Sequence, residues 1–225
     1  MQRPAIFDSR FPPSERTFRG AISMRLASGG ADVDELVEVF TAAAEEFDEL
    51  FPDDAPVDPA DVPAIVDEVV AEYQRVVTAM SPDAEGLMGA LDDLFRDGIL
   101  FSYGDSEEAS EALEYLEDAF EAVAAEGGQL RGFLYSLVKD LDAMVLRQRL
   151  EVSYGTFDAD STAVPTLARR AVEVFRNHGL AAHWSGDLGD RIVIEPMVVD
   201  APLVESDDED ACGCGHDHGP NGHQH

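Results

Sequence analysis

From residue 99 onward, short apolar runs alternate with helix-period segments, and this alternation constrains the fold more than any other feature of the chain. Runs at 99–103 (ILFSY), 132–138 (GFLYSLV) and 150–154 (LEVSY) have strand length. Between and after them, 106–126, 140–147 and 164–177 read as helices; Gly127-Gly128 closes the first and His178-Gly179 the last. Two further short strands, 180–184 and 191–195, flank Ser185-Gly186-Asp187-Leu188-Gly189-Asp190. That pattern predicts a hairpin with a six-residue, glycine-bearing turn.

The first half is mainly helical in pattern. Residues 18–26 (FRGAISMRL) read as a strand, with Ser28-Gly29-Gly30 as the turn out of it. Over 31–50, Val33, Leu36, Val37, Phe40, Ala44 and Phe47 follow helical spacing. A Pro/Asp-rich link then leads to a helix over 63–80 with Ile65, Val69, Tyr73 and Val76 on one face. Ser81-Pro82-Asp83 opens a third helix, carrying Leu87, Leu91, Leu94 and Phe95 and stopping at Gly98. The expectation is an α/β or α+β protein: a helical region over 1–98, then an α/β region over 99–204 ending in a β-α-β-β unit. The two regions form a small mixed sheet with helices, as one domain or two. Residues 205–225 are an acidic spacer and a Gly/Cys/His-rich tail, expected to be disordered without metal. One internal echo exists, between 99–105 (ILFSYGD) and 150–156 (LEVSYGT). A duplicated β-α unit would explain it, and so would two glycines that end strands.

Charge enters because it decides which partners are plausible. The net charge is −32, with 47 acids against 15 bases, of which only Lys139 is a lysine. The acids are threaded through amphipathic segments and 45% of residues are hydrophobic, so the balance reads as a globular surface and not as disorder. Acid excess with almost no lysine is the composition associated with salt-in archaea. At molar salt the Debye length is roughly 3 Å, and carboxylate self-repulsion is largely screened. The acidity is then an adaptation to solvent and implies no basic partner. No Lys/Arg patch with interleaved aromatics is visible, which argues against nucleic acid. Apolar runs are far too short to span a bilayer, so no membrane partner is expected. Residues 1–13 lack the apolar core of an export signal, which makes the expected location cytoplasmic. The two cysteines, two residues apart with one glycine between, read as free thiols in a reducing compartment.

Those cysteines belong to the sharpest motif. Cys212, Cys214, His216 and His218 recur at every second position, with glycine or aspartate between, and His223 and His225 follow. Alternate side chains of an extended chain project to one side. Glycines let the backbone fold around an ion. Two thiolates and two imidazoles make a tetrahedral set for Zn²⁺, and the same ligands take Ni²⁺, Cu⁺ or Co²⁺. Capture or delivery of metal, and opportunistic binding without a role, both fit. The Cys-Gly-Cys-Gly string also looks like the end of A-type iron–sulfur carriers, whose third, upstream cysteine is absent here.

Catalytic patterns are thin. His183, Trp184, Asp187, Asp190 and Arg191 could ring a pocket at the last hairpin, with a histidine beside acids as acid–base chemistry requires. Alternatively, the two aspartates are turn residues, and His183 faces solvent while Trp184 packs inward. Asp158 and Asp160 read as a hard-cation pair or as solvated surface. Gly29-Gly30 is no phosphate loop, and no Gly-x-Ser-x-Gly elbow occurs. Arg131-Gly132-Phe133, Leu150, Ser153-Tyr154-Gly155, Gly179-Leu180, Trp184, Gly186 and Arg191-Ile192-Val193 together resemble the C-terminal part of the DUF6891 family of uncharacterised proteins. The likeness spans 132–195. That family usually carries a Cys-Cys-x-x-Cys stretch, which no cysteine here matches, and a Gln-Asp-Thr, near which Leu137, Val138 and Lys139 stand. The resemblance implies a fold and no activity. The expected function is non-enzymatic transition-metal binding through the tail, as store or delivery arm. The competing expectation is a protein-interaction or regulatory module whose tail is incidental.

Overall fold

Several helix starts in this chain are set by side chains that accept the first free amides, which have no backbone partner inside the helix. The computed structural model describes residues 3–29, 32–51, 54–157 and 162–203. Helix α1 spans Phe18–Ala27, and the Phe18 amide donates to the Asp54 carboxylate, 3.1 Å away. Helix α2 (Val33–Glu45) is capped by Asp32, whose side chain accepts from the Asp34 amide. A short α3 (Phe47–Leu50) follows, then α4 (Val62–Val76) and α5 (Pro82–Arg96). Ser81 caps α5 by accepting from the Ala84 amide, and its hydroxyl donates to the Val198 carbonyl at 2.7 Å.

The strand expected over 18–26 is therefore a helix. Its residues are buried almost all round, and a short apolar run with that pattern has no period that separates strand from helix. Tertiary partners decide it. Phe18 lies against Phe40, Phe47 and Phe51, with ring centroids 5.2–5.6 Å apart. Arg19 reaches Glu68 of α4, and Arg25 reaches Asp142 on a later helix. The helix expected over 31–50 breaks at Glu46, and the helix expected to reach residue 80 ends at Val76.

Strand β1 (Ile99–Tyr103) leads through α6 (Ala109–Ala125) into β2 (Gly132–Ser136). Then come α7 (Val138–Arg147), β3 (Leu150–Gly155), α8 (Val164–Asn177), β4 (Ala182–His183) and β5 (Ile192–Ile194). The sheet order is β1-β2-β3-β5-β4, with β1 and β2 parallel and the remaining pairs antiparallel. The architecture is α+β, with a helical N-terminal region and a small mixed sheet that ends in the expected β-α-β-β unit. The second strand is shorter than its apolar run because Leu137 turns into the N-cap of α7. There the Asp140 carboxylate accepts from the Leu137 amide at 2.9 Å.

Side chains alternate across the sheet, so each face has its own character. Ile99, Phe101, Leu134, Leu150, Val152, Ile192 and Ile194 join one buried cluster with residues of α1, α2, α4, α5, α7 and α8. That cluster runs through both halves of the chain. On the opposite face, α6 buries Ala112 and Leu116, and Phe120 stacks on Phe157, which meets Phe133. Beyond β2 that second face carries Glu151, Ser153, His183, Arg191 and Val193, which alternate with core residues along their strands. The Ser-Tyr-Gly echo is not a repeated unit. Gly104 leaves β1 at φ +76, whereas Gly155 stays extended opposite Phe133, whose ring would stand 2.5 Å from a Cβ there. Moreover, β1 and β2 are neighbours, while β5 separates β3 from β4.

Candidate functional site

The polar half of that second face holds a cavity of about 430 Å³, lined by Arg149, Glu151, His183, Trp184, Ser185, Gly189, Asp190, Arg191 and Val193. The register explains the gathering. Glu151 pairs with Val193 and Val193 with His183, so all three side chains rise from one row of the sheet. Arg191 precedes β5 and Arg149 precedes β3, at opposite ends of the same antiparallel pair.

These arginines are saturated by carboxylates. Arg191 donates two hydrogen bonds to the buried Asp140, at 2.7 and 2.8 Å, and others to Glu151 and the Ser153 hydroxyl. Arg149 grips Glu151 through two nitrogens at 2.9 and 3.0 Å and reaches Glu195 at 2.8 Å. Burial works against the Arg191 charge, but Asp140 and Glu151 more than offset it and hold its pKa above the usual arginine value. For Arg149 the hydrogen bonds to Glu151, then to Glu195, have the same effect. Bidentate guanidinium–carboxylate pairs are strong and geometrically specific, and here they tie α7, β3 and β5 together.

The hairpin loop is tied down in the same way. The Tyr154 hydroxyl and the Trp184 indole N–H both donate to the carbonyls of Asp187 and Asp190, at 3.0–3.3 Å. The two rings meet edge to face at 5.7 Å. Burial comes first among the causes that push the Tyr154 hydroxyl above its ordinary pKa. The Asp187 side chain accepts from the Gly189 amide, and the Asp190 side chain accepts from the Ser185 hydroxyl. Both aspartates are turn residues, as one of the two sequence readings had it. Trp184 packs against the core, while His183 is exposed, with no hydrogen bond or ion pair among the described residues. No carboxylate orients its imidazole, so the acid–base arrangement considered for this hairpin is not assembled in the described geometry.

Sequence reasoning brought His183, Trp184, Asp190 and Arg191 to one place, and the structure joins them. It missed Asp140, Glu151 and Arg149. Only strand register and the start of α7 carry these to the same row, and neither is visible as a local pattern. The tail ligands Cys212, Cys214, His216, His218, His223 and His225 lie outside the described residues, as do Asp158 and Asp160. Among the described residues, no group of three or more His, Cys, Asp or Glu side chains is placed to hold a metal ion. Within the same residues, no helix is long and apolar enough to cross a membrane. The family model described as a domain of unknown function, DUF6891, matches residues 12–200, a span that contains the 132–195 stretch that carried the resemblance and begins well upstream of it. No curated protein and no solved structure matches the chain.

Proposed function

The chain belongs to the DUF6891 family, and from that premise we propose that it binds a transition metal without catalysing a reaction, as a store or delivery arm. The observation that carries the reading is the spacing of Cys212, Cys214, His216 and His218, a soft tetrahedral donor set on consecutive alternate positions. His223 and His225 are auxiliary ligands. Zn²⁺ is the first ion to try, with Ni²⁺, Cu⁺ and Co²⁺ as competitors for the same donors. Thiolate ligation needs a reducing environment, so a cytoplasmic location belongs to the same reading. So does a surface adapted to molar salt, which the acid excess supports.

Metal content and affinity decide it, measured side by side for the intact chain, for residues 1–204, and for the C212S/C214S double variant, in molar KCl under reducing conditions. Tight, near-stoichiometric binding by the intact chain alone supports the proposal and identifies the ion. Binding that is weak, or equal in all three proteins, sinks it. A protein partner that co-purifies equally with residues 1–204 would instead make the body an interaction module with an incidental tail.

A further inference from the structure

In a chain that carries 47 acids, an arginine that finds no carboxylate is the exception. Arg10, Arg19, Arg25, Arg75, Arg96, Arg149 and Arg191 are all paired with carboxylates. Three other arginines, Arg131, Arg169 and Arg170, line a second cavity of about 450 Å³ at the opposite end of the sheet from the hairpin arginines' Glu195. Arg131 sits just before β2 and is held there by its own amide, which donates to the Gly98 carbonyl at 2.7 Å. Arg169 and Arg170 come from the second turn of α8.

Arg170 is occupied. It donates to Asp97 at 2.6 Å and approaches Glu173 at 3.5 Å, and both acids line the same cavity. The side chains of Arg131 and Arg169 make no hydrogen bond and no ion pair among the described residues. Among the described residues that line it, three guanidinium groups face two carboxylates, both already held by one arginine, so that lining is cationic on a chain of net charge −32. The start of α8 adds little. Pro165 has no N–H, and the amides of Thr166 and Leu167 already donate to the Ala163 carbonyl. Anion attraction therefore rests on the two open guanidinium forks.

The floor has another character. Ile99 and Leu167 are buried, and Ala163 lies beside them. A ligand pocket needs this pairing: an apolar surface for the body of a small molecule and a few placed polar groups to orient it. The volume also falls within the range of roughly 300–1,000 Å³ typical of such pockets. Planar guanidinium forks match phosphate oxygens two at a time, and two of them suit a dianion better than a monoanion.

We propose that this cavity binds a small organic phosphomonoester, with Arg131 and Arg169 gripping the phosphate and Ile99, Ala163 and Leu167 seating the organic part. The site is independent of the Cys/His tail. Phenyl phosphate is the probe, titrated into full-length protein stripped of metal with EDTA and then freed of the chelator. The titration uses the lowest KCl concentration that keeps the chain folded, so that neither tail-bound metal nor salt screening masks the contact. Saturable one-to-one binding is expected, with the backbone amide signals of Thr156, Thr166 and Leu167 moving as the ligand is added. R131M and R169M should each weaken binding at least tenfold, while R147M, at a different surface, leaves it unchanged. Inorganic phosphate and benzoate should both bind more weakly, the first for lack of an apolar part and the second for lack of the second charge. Non-saturable binding, equal affinity for benzoate, or amide shifts confined to other residues would overturn the proposal. The amide shifts of the unmodified protein decide the matter even if a variant fails to fold.

Discussion

Two of the arginine-lined cavities among the described residues use their arginines in opposite ways. At the last hairpin, Arg149 and Arg191 are matched by Asp140, Glu151 and Glu195, and every fork points into the protein's own framework. At the mouth of α8, Arg170 alone is matched, and Arg131 and Arg169 have no carboxylate partner among the described residues. The difference follows from where the carboxylates sit. Asp140 is buried because it caps α7, and Arg191 supplies the cation that offsets its buried charge. Among the described residues no buried acid lines the α8 mouth, where the buried neighbours are Ile99 and Leu167. Arg191 is held by the buried acid beside it, whereas Arg131 and Arg169 stand over an apolar floor.

The largest effect expected from breaking this comparison is at Arg191. Replacing it with Met strands the buried Asp140 charge and should cost about 3 kcal/mol of stability in urea denaturation. R131M and R169M should leave the denaturation midpoint within error, because no partner is left unpaired. Equal loss from all three variants would erase the distinction between the two cavities.

A pH titration extends the comparison to a third arginine cluster. Glu72 is buried and held by Arg75 and by the amide and guanidinium of Arg10. The hydrogen bonds from Arg75, then from the Arg10 amide, lower its pKa from 4.5 to about 2. The folded value lies below the unfolded one, so this contribution is complete above pH 4.5 and is lost as the pH falls toward about 2. E72Q should therefore flatten the acid limb of the stability curve between those values and leave the neutral region nearly parallel to the parent. An unchanged acid limb would show that Glu72 is not held as the geometry implies.

The smallest effect concerns Arg149 with Glu195, a pair at the solvent edge of the saturated network. E195Q should cost less than about 0.5 kcal/mol in dilute buffer and nothing measurable in molar KCl, since exposed pairs are screened. A cost that survives molar salt would place this pair with the buried part of the network.

Much of the fold was legible in the residues because it depends on local chemistry. The helix over 164–177 coincides with α8, and β1 falls on its apolar run, since caps, glycines and apolar spacing act over a few neighbours. The hairpin was legible for the same reason, though its strands are shorter than the runs that foretold them. Residues 18–26 were not. Their identity as helix rests on Asp54, Glu68 and Asp142, which are distant in the chain. The candidate sites divide likewise. His183, Trp184 and Arg191 could be grouped because one turn joins them, whereas Arg131 and Arg169 are separated by two strands and a helix.

What the sequence by itself determined is the alternation of elements, the two-sided character of its strands, the acid excess and the Cys/His ligand spacing. Each is a property of neighbouring residues or of sums over the chain. Only the tertiary structure decided the helical state of α1, the insertion of β5 between β3 and β4, and which arginines keep an open charge. Those outcomes depend on which distant side chain arrives at a given amide, strand edge or guanidinium. An interaction made by packing across long stretches of chain leaves no local period to read.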